Sequence, residues 1–290
     1  VTVYPPYSGI NLNSARRLLT RNFETAGIDS AALDARIIVA FAAGLSHADL
    51  LARGTEFLTP EQFDAVTDMA ARRLAGEPVD MLIGRKAFWK DDFIVSKDVL
   101  SPRPETEGII EAALKGLRAP QTILDLGTGS GAIILSLGRE FPAAALTATD
   151  ISARALDIAR QNAARLGIDC RFIQSDWFAA VDGRFDLIVS NPPYITDAAM
   201  KTLPAEVSGF DPDLALRGGP DGLAPYRLMA ARAPRHLTPG GALILEIGFD
   251  QGRAVSDLLR QGGFTDVAII KDLAGHDRII TALSLGVIKA

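Results

Sequence analysis

The sequence predicts an α/β fold: a mostly parallel sheet covered by helices on both faces, preceded by a small helical bundle and joined to it by a β-hairpin. Three observations carry this reading. From Gln121 onward, short apolar runs alternate with segments of helical spacing, the pattern of strands joined by crossover helices. Before about residue 76, apolar residues recur at helical spacing between capping signals. Between Pro78 and Pro104, short strand-like runs are separated by glycine, lysine and aspartate. A chain of 290 residues allows one large domain or two smaller ones, each with its own core.

The elements follow in order. Asn13-Ser14 opens a helix over 15–26 that Gly27 closes, and Ser30 opens another over 31–43 that ends at Gly44. Ser46 caps a short turn running to Arg53. Thr59-Pro60-Glu61-Gln62 is a strong start: an N-cap, proline at the first helical position, and a glutamine placed to reach back to the cap. Phe63, Val66, Met69, Ala70 and Leu74 then keep helical spacing as far as Gly76. In the hairpin region the strand-like runs are Met81-Leu82-Ile83 and Phe93-Ile94-Val95. Strands are expected at 123–126, 145–149, 171–174, 185–190, 242–247, 267–270 and 278–282, with helices at 132–140, 153–166, 224–236 and 253–261. The boundaries that result are a helical domain over 1–76, a hairpin linker over 77–104 and an α/β domain over 105–290.

Composition excludes several classes. At 48% hydrophobic residues the chain buries too much apolar surface to be disordered. No apolar run approaches the roughly 18–20 residues that span a bilayer; the richest, Ala35 to Leu45, carries Arg36 and reads as a buried helix. Val1-Thr2-Val3-Tyr4-Pro5-Pro6-Tyr7 lacks a basic region followed by an apolar one, so no secretory leader is expected. A net charge of -5 argues against affinity driven by phosphate neutralisation. One cysteine, Cys170, makes no internal disulfide, and with scattered His47, His236 and His276 it makes no metal pattern. Cys170 reads as a strand-edge core residue and the histidines as surface or helix-end residues. A reducing cytoplasm, no membrane, no metal and a monomeric state are the expectations.

Asp125-Leu126-Gly127-Thr128-Gly129-Ser130-Gly131 follows the first strand of the α/β region and opens its first helix. Glycines are needed where the backbone turns sharply or lets a ligand touch it. The run also satisfies the dinucleotide fingerprint, with Asp150 about 20 residues beyond. Two details favour another ligand. Asp125 stands at the strand end just before the glycines, and Gly131 makes a compact G-x-G-x-G. A carboxylate there repels a pyrophosphate and suits an ammonium group. S-adenosylmethionine has such a group, a cationic sulfonium and no phosphate. The competing reading is a bare strand-to-helix turn. Asp150 ends the second strand, where it can accept both ribose hydroxyls, while Ser152 is available to cap the next helix. Asp176 and Trp177 follow the third strand; one can accept from an adenine amino group and the other can pack on the ring, unless both are ordinary loop residues.

Asn191-Pro192-Pro193-Tyr194, directly after the strand over 185–190, is the most specific signal. A nitrogen conjugated to a carbonyl or an aromatic ring is a poor nucleophile, because its lone pair is delocalised. Two acceptors pulling on its N–H bonds hold it and aim the lone pair at an electrophile. Asn191 Oδ1 is one such acceptor and the Pro192 carbonyl the other. Consecutive prolines stiffen the turn and bring no competing N–H. Tyr194 can pack on the planar group and face the sulfonium, a cation–π contact worth about 0.5–2 kcal/mol. No general base is required, since the methylated nitrogen is strongly acidic, and a phenol with a pKa near ~10 is a poor one. Catalysis then rests on alignment.

Together, the glycine loop and Asn191-Pro192-Pro193-Tyr194 resemble S-adenosylmethionine-dependent methyltransferases that act on planar nitrogen. The same tetrapeptide occurs in N6-adenine DNA methyltransferases. Gly76-Glu77-Pro78, Gly84-Arg85 with Phe88, Ser101-Pro102-Arg103-Pro104-Glu105-Thr106-Glu107, Asp221-Gly222-Leu223, and Glu246-Ile247-Gly248 with Gln251-Gly252 narrow the likeness. They resemble the HemK family, the peptide-chain release factor glutamine methyltransferases, over nearly the whole chain. The resemblance implies a Rossmann-like, seven-stranded class I methyltransferase domain behind a helical N-terminal domain and a hairpin linker. It implies S-adenosylmethionine as cofactor and the glutamine of the Gly-Gly-Gln loop in class I release factors as substrate, with no direct nucleic-acid partner. Carried over by position, Gly127 to Gly131, Asp150, Trp177 and Asn191 would bind the cofactor, and Asn191 through Tyr194 the glutamine amide. Asp80-Met81, Gly108 and Trp89 depart from the family pattern.

The candidate site is therefore Asp125, Gly127, Thr128, Gly129, Ser130, Gly131, Asp150, Asp176, Trp177 and Asn191 for cofactor. For substrate it is Asn191, Pro192, Pro193 and Tyr194, with Asn191, Pro192 and Tyr194 catalytic. Arg103 and Glu105 either line the pocket or pair with each other. An adenine or guanine N-methyltransferase is the alternative enzyme, but it wants a basic face and stacking aromatics, which 7% aromatics and the acidic balance do not supply. A cofactor-binding module without catalysis would have no use for paired acceptors, and a nicotinamide oxidoreductase remains the fold-level alternative.

Overall fold

The computed structural model describes residues 9–116 and 119–285; the opening Val1–Tyr7, read above for a leader, lies outside the described residues. The chain divides into two compact units, Val1–Gly84 and Arg85–Ala290.

The first unit is helical: α1 (Leu12–Thr25), α2 (Ala31–Ala43), α3 (His47–Ala52), α4 (Pro60–Leu74) and α5 (Val79–Ile83). Asn11 caps α1 by accepting from the Ser14 amide at 2.8 Å, so the helix starts earlier than Asn13-Ser14 suggests. Thr59 and Gln62 form both halves of a capping box on α4, as their spacing predicts, and Ser46 with Asp49 does the same on α3. Leu12, Leu19 and Phe23 meet Ile38, Val39, Val66 and Met69 in a buried core of this unit's own. Inside it, Arg73 of α4 donates to Asp34 of α2 at 2.7 Å, and the Ser30 hydroxyl adds a bond of 2.8 Å to the same carboxylate. The strand expected at Met81-Leu82-Ile83 is instead α5. An apolar triplet is too short to show a period. Here the Leu82 amide closes a helical turn on the Pro78 carbonyl, and Gly84 ends it in the left-handed region at φ 66°.

The second unit opens with a hairpin, β1 (Arg85–Phe88) and β2 (Asp91–Ile94). Phe88 and Phe93 pack edge-on at 6.1 Å within this unit's core. A 3₁₀ turn at Pro104–Thr106 leads to α6 (Glu107–Gly116), β3 (Thr122–Leu126), α7 (Ala132–Glu140), β4 (Ala145–Asp150), α8 (Ala153–Leu166), β5 (Arg171–Gln174) and β6 (Phe185–Ser190). There follow β7 (Ile195–Thr196), a 3₁₀ turn at Ala199–Thr202, α9 (Ala205–Ser208), α10 (Asp213–Leu216) and β8 (Arg217–Gly219). The chain ends with α11 (Ala224–His236), β9 (Leu237–Glu246), α12 (Gly252–Gln261), β10 (Phe264–Lys271) and β11 (Asp277–Ser284).

Seven strands form one sheet in the order β10-β11-β9-β6-β3-β4-β5. β9, β6, β3, β4 and β5 run parallel; β11 is antiparallel to β9 and to β10, so β10, at the edge, runs in the same direction as those five. Apolar residues of α6, α7 and α8 cover one face and those of α11 and α12 the other. The departures from the family pattern have local partners. A Cβ on Gly108 would lie 2.9 Å from Ile279, so glycine lets α6 sit close on β11. The Trp89 indole donates to Glu140 at 2.8 Å, fastening the hairpin to the end of α7.

Candidate active site

The order of the sheet decides where the site lies. β3 has β4 on one side and β6 on the other, so the loops leaving β3 diverge at its carboxyl end, where ligands of open α/β sheets bind. The glycine loop after β3 and the Asn-Pro-Pro-Tyr turn after β6 therefore emerge side by side. The Ser190 hydroxyl, donating to the Leu126 carbonyl at 2.6 Å, ties the two strand ends together. A cavity of about 780 Å³ opens there, within the size range of cofactor sites.

Gly127, Gly129 and Gly131 have φ of 72°, 55° and 82°, a region costly for residues with a Cβ. The amides of Gly127 and Thr128 both donate to the Thr149 carbonyl at 2.9 Å. The Gly129 amide donates to Asp150 at 2.9 Å, and Ser130 is held through its carbonyl by buried Asn162, which also brackets Ile94 of the hairpin. Gly127, Thr128, Gly129 and Ser130 line the cavity, and a Cβ on Gly129 would meet nothing within 4 Å. Gly131 does not line it. A Cβ there would stand 3.3 Å from Ala159 of α8, so its glycine serves helix packing rather than direct cofactor contact.

Asp150, Asp176 and Trp177 line the cavity as expected. The Asp150 oxygens accept from the Gly129 and Ser152 amides, one each at 2.9 Å, which leaves each a lone pair for a ligand hydroxyl. Burial pushes the Asp150 carboxyl upward against those amide bonds. Ser152, not Asp150, caps α8. Trp177 sits at φ 51°, a conformation costing about 1 kcal/mol for such a residue, and its ring stands beside Gly127. Asp125 lies behind the loop, fully buried and off the cavity wall. Its Oδ2 accepts from the Thr128 hydroxyl at 2.7 Å, while Oδ1 has no partner. Burial raises its carboxyl to about 7 against the Thr128 bond, and Asp150 adds to the rise. An open glycine cradle and, on the cavity wall, a carboxylate with free lone pairs fit the chain and ribose hydroxyls of S-adenosylmethionine, and the buried Asp125 carboxyl behind the loop suits its positive charge from a distance.

Asn191 and Pro193 line the cavity; Pro192 and Tyr194 do not. Asn191 Nδ2 donates to the Thr106 hydroxyl at 3.2 Å, and among the described residues nothing donates to Asn191 Oδ1 or to the Pro192 carbonyl. Tyr194 corrects the expectation of a contact with the sulfonium. Its ring packs with the core around α11 and its phenol lies near Glu246; burial pushes that phenol up to about 12, with Glu246 adding to the rise. The turn is braced from behind. Gln251 Nε2 donates to the Tyr194 and Gly222 carbonyls at 3.1 and 3.2 Å, and a Cβ on Gly218 would strike the Pro193 carbonyl at 2.8 Å.

Arg103 does not pair with Glu105. It donates to Asp211, in the segment before α10, at 2.7 Å and lines the cavity. Sequence reasoning missed the loop at Lys97–Leu100 and Asp197, Leu214 and Arg217, all of which line the cavity. None carries a local motif. His236 stacks on Phe178 at 4.8 Å at the end of α11, and burial pushes the Cys170 thiol up. Among the described residues no group of three or more His, Cys, Asp or Glu could hold a metal ion, and no helix is long and apolar enough to cross a membrane.

A sheet in this order, with a glycine loop and an Asn-Pro-Pro-Tyr turn adjoining at its carboxyl end, defines a methyltransferase domain. A family model for the methyltransferase small domain matches residues 110–206. The crystal structure of a methyltransferase from Pyrococcus furiosus has the same fold, with a TM-score of 0.53 at 22% identity over 76% of this chain and 100% of that one. The family is narrower than the fold. The PrmC N-terminal domain model matches residues 14–84. Release factor glutamine methyltransferase of Cereibacter sphaeroides is 47% identical over 92% of this chain and 96% of its own. Its counterpart in Bradyrhizobium diazoefficiens is 42% identical over 97% of both chains. The chain belongs to the release factor glutamine methyltransferase family.

Proposed function

We propose that this chain transfers the methyl group of S-adenosylmethionine to the side-chain amide nitrogen of the glutamine in the Gly-Gly-Gln loop of class I peptide-chain release factors, and so modulates translation termination. The observation that carries this is the state of Asn191: it faces the cavity beside the glycine loop, its Nδ2 is engaged by Thr106, and its Oδ1 is unclaimed. An acceptor fixed in that way suits the N–H of a planar amide. The relatives named above are release factor glutamine methyltransferases over nearly their whole length. The alternative of an adenine or guanine methyltransferase has no such support.

When bound, the cofactor supplies a methyl carbon made electrophilic by its sulfonium. The chain's residues do the rest. Gly127, Gly129, Asp150 and Trp177 hold the adenosyl end, and Asp125 offers its spare oxygen to positive charge through the loop. Asn191 Oδ1 would accept one amide hydrogen and the Pro192 carbonyl the other, and together they would orient the nitrogen lone pair for transfer. Tyr194 does not serve as a base: with its phenol at about 12 it stays protonated near neutrality. The proton is lost from the methylated, cationic nitrogen to Asn191 or to water. The residues that line the cavity belong to the second unit, from Lys97 onward, and we assign the helical unit to docking the release factor.

Labelled methyl groups should pass to an intact release factor and not to one whose Gly-Gly-Gln glutamine is replaced. Label on nucleic acid alone would overturn the substrate. Asn191→Ala should keep its fold and lose turnover by two orders of magnitude or more, on the scale of misalignment effects (about 10²-fold); unchanged turnover would overturn the mechanism.

A further inference from the structure

Behind Asn191 lies a polar cluster of which the mechanism above uses only the Thr106 contact. Glu246, at the end of β9, is 2% exposed, and Thr106, at the end of the 3₁₀ turn before α6, is 3% exposed. The Thr106 hydroxyl donates to Glu246 Oε2 at 2.6 Å and accepts from Asn191 Nδ2 at 3.2 Å. The Tyr194 phenol lies near the Glu246 carboxylate, and the Tyr226 hydroxyl donates to the Glu246 main-chain carbonyl at 2.9 Å. Three segments separated by 85 and 140 residues thus converge behind one amide.

A hydroxyl has one proton. An ionised Glu246 accepts only, so that proton is committed to the carboxylate. Thr106 then shows Asn191 lone pairs alone, and only Nδ2 can meet them. A flipped amide would set Oδ1 against those lone pairs and turn two N–H donors toward the N–H bonds of the substrate.

We propose that Thr106 and Glu246 are positioning residues that fix the orientation of the Asn191 amide, so that Oδ1 rather than Nδ2 faces the glutamine to be methylated. The inference rests on Asn191 acting as the acceptor for that glutamine. It has a pH signature. Burial raises the Glu246 carboxyl to about 7, and nearby Glu105 adds to the rise, while Thr106, Arg278 and the Tyr194 phenol oppose it. Protonated Glu246 can donate to Thr106, which frees the threonine proton for Oδ1 and removes the preference.

The test measures kcat, KM for release factor and cofactor Kd for Thr106→Val, Thr106→Ser and Glu246→Gln in the full chain, each confirmed folded by circular dichroism. Thr106→Val should lower kcat about 10- to 100-fold with KM and Kd within a few-fold, and Thr106→Ser should recover most of the loss. At saturating cofactor, wild-type kcat should fall below pH ~7, and Glu246→Gln should be low with no such limb. Wild-type kcat in Thr106→Val, or a Thr106→Ser variant as impaired as Thr106→Val, overturns the proposal. If Asn191→Ala abolishes turnover while Thr106→Val does not, this inference alone fails; if Asn191→Ala is fully active, the reading beneath it fails too.

Discussion

Asp125 has an oxygen with no partner in a fully buried position, and a carboxylate so placed binds a proton more tightly folded than unfolded. Its folded value of about 7 stands above the ordinary 3.8. The cofactor-free protein therefore holds this contribution in full below about pH 4 and loses it as pH rises through about 7, by at most ~4 kcal/mol. Glu246, raised to about 7 in the same way, adds a decline of the same sign. Thermal or denaturant unfolding of the cofactor-free chain should show stability falling across that window, and Asp125→Asn should flatten the fall by about half, leaving the Glu246 share. Because a cationic ligand wants the carboxylate, cofactor affinity should rise over the same pH range in the wild type and not in Asp125→Asn. An unaltered slope in the variant would show that Asp125 does not titrate there. Gly131 teaches a related lesson. It belongs to the motif by position, but its neighbour is Ala159, so one glycine pattern in sequence serves both ligand approach and helix packing.

At the scale of elements, the ion pair between α2 and α4 decides how the helical unit holds together. Arg73 and Asp34 are each 5% exposed, and breaking a buried, hydrogen-bonded ion pair by removing one member costs about 3–5 kcal/mol. Asp34→Ala should destabilise the unit by that amount in urea titrations, and Asp34→Leu with Arg73→Met should recover much of it. A loss under 1 kcal/mol would show that the pair does not hold α2 to α4. How much of this architecture was legible follows from the range of each interaction. The capping boxes of α3 and α4 act over three residues and are written in the sequence as such. So are the glycine loop and the Asn-Pro-Pro-Tyr turn, since each is one contiguous segment after an apolar strand. Helix α5 was read as a strand because five residues carry no decisive period. Strand β9 begins at Leu237, five residues before the expected start, because Thr238-Pro239-Gly240-Gly241 looks like a turn. The sheet absorbs that stretch in a register shift against β6. Thr106 and Glu246 both fall in segments that carry the family resemblance, but nothing local pairs them with each other or with Asn191, since their meeting depends on β9 lying beside β6.

For the whole molecule, the place where the chain divides sets up a sharper experiment than the sequence alone allows. A cut at Gly76, where the helical pattern ends, would remain inside the first unit, because Leu82 of α5 belongs to that unit's core. A cut between Gly84 and Arg85 respects both cores: Phe88 and Phe93 of the hairpin pack with α6 and α7, and the cavity wall begins at Lys97. The fragment 85–290 should therefore fold, bind S-adenosylmethionine within a few-fold of the full chain, and retain Asn191, Thr106 and Glu246 in place. If Val1–Gly84 docks the release factor, the fragment should methylate the intact factor at least 100-fold less efficiently in kcat/KM, a loss of about 2.7 kcal/mol in transition-state stabilisation. The loss should fall on KM, because a docking unit supplies binding that is equal in the ground and transition states. A short peptide carrying Gly-Gly-Gln, which offers the first unit nothing to hold, should be methylated equally slowly by fragment and full chain. A folded, cofactor-binding fragment that acts on the intact factor at the full rate would remove docking from the first unit and leave the chemistry of the second unaffected.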